Sequence, residues 1–188
     1  MHGTFGHTTL GLENCTVRLV AYDSAWPRLF GEEAARIRTF LESGTELALE
    51  HMGSTAVPGL TAKPILDILG GYPQGARVEP FTAALVRAGY AHRGEQDIPG
   101  REFFRRGEPR SYHVHLAVKD GVFWRDQLAF RDALRTMPDV RDGYAALKLE
   151  LAQKFPRDRE AYIDGKGAFV RRVIDAVLCR NNSTRFSI

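Results

Sequence analysis

The residue most in need of a chemical reason is Asp67, set inside the apolar run Ile65-Leu66-Asp67-Ile68-Leu69. A carboxylate is costly to bury unless it is paired. Asp67 must therefore reach a strand edge, pair with a cation such as Lys63, or bind a metal. Strand alternation places Ile65, Asp67 and Leu69 on one face and Leu66 and Ile68 on the other. Upstream, Gly53-Ser54-Thr55 follows a strand-like segment and offers close backbone approach and amide groups suited to phosphate oxygens. Alone, that tripeptide reads equally well as a turn or a helix cap, and it is its coupling to Asp67 that favours phosphate. His51, just before it, either orients the loop or binds substrate.

A second group is His113 and His115 in Tyr112–Val118. Alternation puts both imidazoles on one face, about 7 Å apart, where they can converge on one ligand. They can coordinate a metal with Asp67, or hydrogen-bond a phosphate when protonated; a polar, partly exposed sheet face is the plain alternative. Glu102, one strand earlier, is a reserve carboxylate. A third group lies in the helical part, where Tyr144, Lys148, Leu151, Phe155 and Tyr162, Lys166, Phe169, Val173 both follow an i, i+4, i+7, i+11 stripe. Each stripe sets a lysine in an apolar seam. Such a lysine either runs its stem along the core and surfaces its amine or, with Arg131 and Arg135 one turn apart on the preceding helix, lines an anion-binding cleft.

These residues need elements to position them. Phe30, Ala34, Ile37 and Leu41, with Pro27 near the start and Gly44 beyond the end, mark an amphipathic helix from Ser24. Glu46–Met52 reads as a strand, 53–63 as a Gly/Pro-rich turn, and Pro64–Leu69 as a strand stopped by Gly70-Gly71. Phe81–Ala88 reads as a second helix, and Glu102–Arg106 and Tyr112–Val118 as strands. Beyond Gly121 the pattern is helical only: Val122–Arg135, Pro138–Lys154 and Arg159–Cys179. Strands in the first two thirds and helices in the last predict an α+β domain: a small mixed β-sheet with flanking helices and a C-terminal helical layer.

The chain has 188 residues, 44% hydrophobic and 26% charged, enough for one domain with a sizeable core. This composition excludes a disordered tail, a collagen and a disulfide scaffold. Residues 17–180 are expected to form a single domain, between an N-terminal extension over 1–16 and a polar C-terminal tail over 181–188. No apolar run approaches the roughly 18 to 20 residues of a membrane span, and the first residues lack the order of a secretory signal, so the chain reads as soluble and cytoplasmic, without a membrane partner. Cys15 and Cys179 lack metal or redox spacing. The net charge is only +3 and interspersed, a weak argument for nucleic acid, although the local excesses at 101–110 and 171–185 suit an anionic partner.

Three blocks, Val17-Arg-Leu-Val-Ala-Tyr-Asp-Ser-Ala-Trp26, Glu50-His-Met-Gly-Ser-Thr-Ala-Val-Pro-Gly-Leu60 and Lys63-Pro-Ile-Leu-Asp-Ile68, resemble the GrpB family of the nucleotidyltransferase superfamily. His113-Val-His-Leu116, Leu128–Arg135, Tyr144–Lys148 and Ala161–Lys166 match in order, so the resemblance covers about residues 17 to 178. It implies a nucleotidyltransferase-like core. In active members of that superfamily a Gly-Ser loop holds the triphosphate, and an Asp-x-Asp/Glu pair holds divalent metal for in-line attack on phosphorus. Gly53, Ser54 and Asp67 match this motif. The second carboxylate position is Leu69, and Tyr112–Val118 carries no aspartate, which departs from a two-metal site.

The resemblance thus implies a nucleotide or related phosphorylated small molecule as ligand, with metal-dependent nucleotidyl transfer or, on a degenerate site, non-catalytic ligand or partner binding. RNA binding through the basic stretches is a third and weaker option. Asp67 is the expected metal ligand, with His115 and His113 completing the shell or acting on the acceptor's proton. Gly53, Ser54 and Thr55 would cradle phosphate, with Lys63, Arg131, Lys148 and Lys166 neutralising it. The metal would be Mg or Mn, with imidazole tilting the preference toward Mn or Zn. Family members also occur fused to dephospho-coenzyme A kinase, which points to nucleotide or coenzyme A metabolism.

Overall fold

The structure, a computed structural model, describes residues 10–185, with side chains described as far as residue 179. Residues 1–9 of the expected N-terminal extension and 186–188 of the expected tail lie outside the described residues.

Five helices and five strands form an α+β fold: α1 (Trp26–Arg38), β1 (Ala48–Met52), β2 (Leu66–Tyr72), α2 (Glu79–Arg87), β3 (Ala91–His92), β4 (Glu102–Arg106), β5 (Tyr112–Val118), α3 (Val122–Thr136), α4 (Pro138–Lys154) and α5 (Arg159–Arg185). A single 3-10 turn, Ser54–Ala56, follows β1. The strand order is β1-β2-β5-β4-β3. Only β2 and β5 run parallel, joined by the crossover that carries α2, β3 and β4; every other neighbour is antiparallel.

The two faces of the sheet do different things, because side chains alternate along each strand. On one face Leu49, Ile68, Val114, Leu116 and Phe104 pack against Ile37 of α1 and Phe81 and Leu85 of α2 to form the main core. Glu33, buried on the same side of α1, is held there by Arg36, by Arg106 at 2.5 Å and by the Tyr90 hydroxyl at 2.8 Å. A buried carboxylate is tolerable only with such complete pairing, and here it ties α1 to β4. The other face is covered by the C-terminal layer. Trp124 of α3 rests on Met52 and Leu69. Leu134 and Tyr144 close over Val57 and Leu60, and Leu151 and Tyr162 over Val17. Asp67, His113 and His115 project into the space between the sheet and this layer.

Several boundaries differ from the expectation. β2 runs through Gly70-Gly71 to Tyr72 instead of stopping at Leu69. Both glycines pair in the ladder, Gly70 with Leu49 and Leu116, Gly71 with Ala48 and Ala117. At Gly71 a Cβ would stand 2.4 Å from the Trp124 ring, so the glycine admits the tryptophan and does not end the strand. The two-residue strand β3, too short to show alternation, pairs with Arg105 and Phe104. Helix α5 continues past Cys179 to Arg185, so the polar segment expected as tail from 181 is helical as far as 185. Cys15 is an exposed free cysteine. Among the described residues no helix is long and apolar enough to cross a membrane.

Gly71→Ala is expected to destabilise the fold by about 1–3 kcal/mol through overpacking against Trp124. Gly31→Ala, in α1 with open space around it, should instead gain about 0.5–1 kcal/mol from helix propensity. Denaturant unfolding of the two variants checks both signs.

Candidate functional site

Between the sheet and the C-terminal helices lies a cavity of about 430 Å3. Its floor comes from two adjacent parallel strands whose register is fixed by the ladder. Asp67 of β2 stands beside His113 of β5, and Leu69 beside His115. The Asp67 carboxylate takes a 3.0 Å hydrogen bond from His113 Nδ1 and lies 3.6 Å from His115 Nε2. One ligand atom from each of the three lies within 4.8 Å of the others. Burial alone would push the Asp67 carboxyl up, but the hydrogen bonds and charge of His113 and His115 overcome it and hold the group well below the usual carboxylate range. Burial pushes His113 down from its ordinary value, against the pull of Asp67. Phe103 of β4 sits edge-on to His113, 5.1 Å between centroids, and Phe123 of α3 stacks on His115 at 6.2 Å. The rings are thereby fixed in orientation.

One carboxylate and two imidazoles are a donor set suited to a divalent transition metal, with positions left for water or substrate. Ligands about 2.1 Å from a shared ion lie about 3.0–3.4 Å apart, close to the two Asp67–imidazole separations of 3.0 and 3.6 Å. Ligation requires an ionised carboxylate and a neutral imidazole, the forms favoured by the lowered Asp67 and by the burial of His113. The residues present therefore fit a single divalent ion. His113 Nε2 and His115 Nδ1 are buried without a hydrogen-bond partner.

The expected phosphate loop is close to this group. Gly53 adopts φ 72°, and a Cβ there would come within 2.7 Å of Asp67 Oδ2, so glycine is needed for both the turn and the approach. Ser54 Oγ accepts a 3.1 Å hydrogen bond from Lys148 Nζ, which also donates to the Thr61 carbonyl. Lys63 and Lys166 both stand over the Tyr162 ring, their Nζ atoms 5.0 and 4.6 Å from its centroid, and Lys148 is 5.0 Å from the Tyr144 ring. The Tyr-x-x-x-Lys stripes thus place both helical lysines at the cavity, each on the tyrosine one turn before it. Burial lowers all three, and neighbouring cations add to it: Lys148 to about 7 beside Lys166 and Lys63, Lys166 to about 7 beside Lys63 and Arg159, and Lys63 to about 8 beside Arg159 and Arg110, against the pull of Asp67 on the last two.

Other expected residues are placed differently. Thr55 is buried with its hydroxyl 3.0 Å from His51 Nε2, so its side chain serves the loop's interior. His51 lies on the opposite face of the sheet from Asp67, stacked on Phe30 at 4.9 Å, and burial lowers it to about 4. Arg131 touches the cavity, but its guanidinium is committed to Glu50 at 2.8 Å, Asp132 at 2.8 Å and the His51 carbonyl at 3.1 Å. Arg135 donates to the Ala56 carbonyl. Both arginines hold the 50–56 segment in place. Glu102 is not a reserve ligand: it pairs with Leu116 on the core-facing side of β4 and bonds His92 at 2.5 Å, because alternation gives the cavity face to Phe103.

Two arginines at the cavity were not anticipated. Arg101 is buried under hydrogen bonds to the carbonyls of Glu95 and Gln96 and lies over Phe103 and Phe123. Arg159, the first residue of α5, lines the cavity with no spacing pattern to announce it. The available signal was a cation at a helix N-terminus, where the macrodipole disfavours one.

A mixed five-stranded sheet, with the candidate site between one face and a three-helix layer, defines an α+β protein that keeps a cavity over the middle of its sheet. The chain belongs to the GrpB family: the family model described as GrpB protein matches residues 16–176. A UPF0157 protein of Pseudomonas aeruginosa is 42% identical over 86% of this chain and 68% of its own length. The crystal structure of conserved protein GrpB from Enterococcus faecalis, 34% identical, superposes with a TM-score of 0.77 over 87% of this chain and 99% of that one. A more distant relative, a dephospho-CoA kinase of Mycolicibacterium paratuberculosis, is 29% identical over 89% of this chain but only 48% of its own length.

The lowered lysines make ligand-free stability depend on pH in a defined direction. Below about pH 7 Lys148 and Lys166 are charged in both states and the folded state carries the full burden of their burial; as pH rises toward 10.5 the unfolded state holds more protons, so their contribution to stability rises. Lys166→Met is therefore expected to raise the melting temperature at pH 7 and to flatten its rise between pH 7 and 9.5 relative to wild type. Parallel melting curves across that window would show that the cavity does not burden the Lys166 charge.

Proposed function

We propose that this protein binds a nucleotide or a related phosphorylated small molecule in the cavity, together with a divalent metal ion held by Asp67, His113 and His115. The observation that carries the reading is that a carboxylate–imidazole donor set and three desolvated lysines share one cavity of about 430 Å3. Lysines held near pH 7 await a counter-charge, and a phosphate group supplies one. When bound, the ion would neutralise phosphate oxygen charge as a Lewis acid and favour attack at phosphorus. Two imidazoles in the donor set favour Mn or Zn over Mg.

The protein's own residues divide the remaining work. The backbone at 53–55 and the Ser54 hydroxyl face the phosphate end, where Lys148 fixes the serine. Lys63 and Lys166 neutralise charge between that end and Asp67. Phe103 and Phe123 hold the imidazoles and exclude water from them. His115, 3.6 Å from Asp67, takes a proton from an acceptor hydroxyl only in the alternative arrangement in which it stays outside the metal shell. The finer reading is transfer of a nucleotidyl group to a small molecule, a chemistry that fits the superfamily the sequence resembles; the name of the kinase relative agrees with a nucleotide-like ligand.

Leu69 favours a second reading in one respect. It is fully buried against Met52 and Trp124, so the position where a second carboxylate would stand is built into the core. The site is thus suited to one ion, and a ligand-binding module without turnover is the form the function takes if one ion does not suffice.

Thermal stability with a nucleoside triphosphate panel and Mn or Zn tests the reading. A ligand at about 100 times its Kd adds about 2.7 kcal/mol to the native state. The stabilisation by nucleotide is expected to need both the metal and Asp67, and to vanish in Asp67→Asn. An equal shift in that variant sinks the metal-dependent reading, and a shift that survives chelator in wild type favours the binding module.

A further inference from the structure

The lysines and the metal donors account for a charged end of the ligand and leave one stretch of the cavity wall unused. On α3, Phe123, Gln127, Phe130 and Leu134 recur at i, i+4, i+7 and i+11 and all line the cavity, so one face of the helix looks into it. Phe123 stacks on His115, and Phe130 stands edge-on to Tyr144 at 5.1 Å between centroids. Gln127 lies between them, about one turn from each. It is the one neutral polar side chain that α3 gives to the cavity. Among the described residues its amide forms no hydrogen bond, although a carboxamide carries both donors and an acceptor.

The opening of the cavity is apolar as well. Ile98 and Ile163 both line it, and each is 37% exposed. Neither is exposed through loose packing. Tyr162, the neighbour of Ile163, is 1% exposed, so the start of α5 is firmly docked. Ile98 is presented by a closed turn. Its N–H donates to the Glu95 carbonyl and its carbonyl accepts from the Arg101 N–H, both at 3.2 Å, while the Glu95 carboxylate accepts from the Gly100 N–H at 2.7 Å. Arg101 ties the turn to Phe103 and Phe123, over which its guanidinium lies. Gln96 and Asp97 within the turn adopt φ 49° and 59°, a left-handed conformation that is costly without glycine. The chain thus accepts strain to hold an isoleucine at the opening of a cavity, where contact with water is unfavourable until a ligand covers it.

Apolar side chains around a single free amide suit a flat heterocycle with a hydrogen-bonding edge, and they offer nothing to further phosphate. The amide also selects the edge. A glutamine pairs in bidentate fashion with adenine, donating to a ring nitrogen and accepting from the exocyclic amine. The adjacent N–H donors of guanine call for a carboxylate. Among the described residues Asp67 is the one carboxylate lining the cavity, and His113 and His115 engage it. Pyrimidines present less ring face to Phe123 and the isoleucines.

We propose that Gln127, Phe123, Ile98 and Ile163 form the base subsite of the cavity, and that the base is adenine, read by the Gln127 amide. The inference rests on the reading above that the lysines and the metal group take phosphate, and it narrows that ligand to an adenine nucleotide. Phosphate affinity and base choice are then carried by different side chains, the first by Lys63, Lys148 and Lys166, the second by Gln127.

Calorimetric titration of the full chain, with Mn present, by ATP, GTP, CTP, UTP and inorganic tripolyphosphate tests this, together with Gln127→Met and Ile98→Ser. Wild type is expected to bind ATP about tenfold or more tightly than the other nucleotides and than tripolyphosphate. Gln127→Met keeps the length of the side chain and loses the amide, so it should lower ATP affinity about tenfold and abolish the preference. Ile98→Ser should weaken all four nucleotides alike. Both variants should bind tripolyphosphate within about twofold of wild type, which also shows that they are folded. Equal affinity of wild type for ATP and tripolyphosphate overturns the base subsite and leaves the phosphate reading standing. A preference for another base, or a preference for ATP that survives in Gln127→Met, overturns the assignment of Gln127 to adenine. Loss of tripolyphosphate binding in Gln127→Met overturns it too, since the residue would then serve phosphate or the fold. No uptake of ATP or tripolyphosphate by wild type removes the phosphate reading and this inference with it.

Discussion

A single ionised carboxylate on the middle of a sheet governs this structure. Asp67 sits on β2, between β1 and β5, where water cannot solvate it fully and its direct ladder neighbours are Met52 and His113. The charge persists because His113 and His115 are brought to it by the parallel pairing of β2 with β5. Parallel pairing needs a crossover, and here the crossover delivers α2 to the core face and β4 to the far side of β5. The same pairing that satisfies Asp67 therefore fixes the strand order and leaves one face free for the C-terminal layer.

That layer brings an imbalance of charge. The cavity holds one carboxylate from the sheet against lysines from β2's lead-in, α4 and α5 and arginines from the segment before β4, α3 and α5. Evenly interspersed charge along the chain becomes strongly uneven in space. Proteins rarely leave buried cations uncompensated without a ligand to meet them, and the contrast with Glu33 is instructive. Glu33 is also buried, yet Arg36, Arg106 and Tyr90 saturate it, which marks a structural tie. Among the described residues Lys166 and Arg159 have no such saturation, and the proposed anion binding rests on that contrast.

Leu69 and Gly71 show how the two faces are kept apart. Both point toward the C-terminal layer, and together with Met52 they seat Trp124. The tryptophan packs on Leu69 and so covers the position where a second carboxylate would project. Chemistry at this site must then be done with one carboxylate and two imidazoles, and packing of the helical layer is the reason.

Period and punctuation alone determined most of the elements: five helices and four strands are legible in repeats of apolar residues, Pro27, Pro138 and the β-branched run at β5, and only β3 escapes. The sequence also determined that Asp67, His113 and His115 share a face of their strands, because alternation is a local property of the backbone. Which strand lies beside which is not local. Tertiary structure decided that β2 and β5 are neighbours, that Glu102 faces the core while Phe103 faces the cavity, and that Gly70-Gly71 continue a strand because Trp124 lies on them. It also decided that Thr55 and Arg131 hold the loop and that Arg159 joins the cavity. Hydrophobic period reports how one segment meets water, whereas a charged site is made by segments distant in the chain, and the balance of its charges exists only once they are folded together.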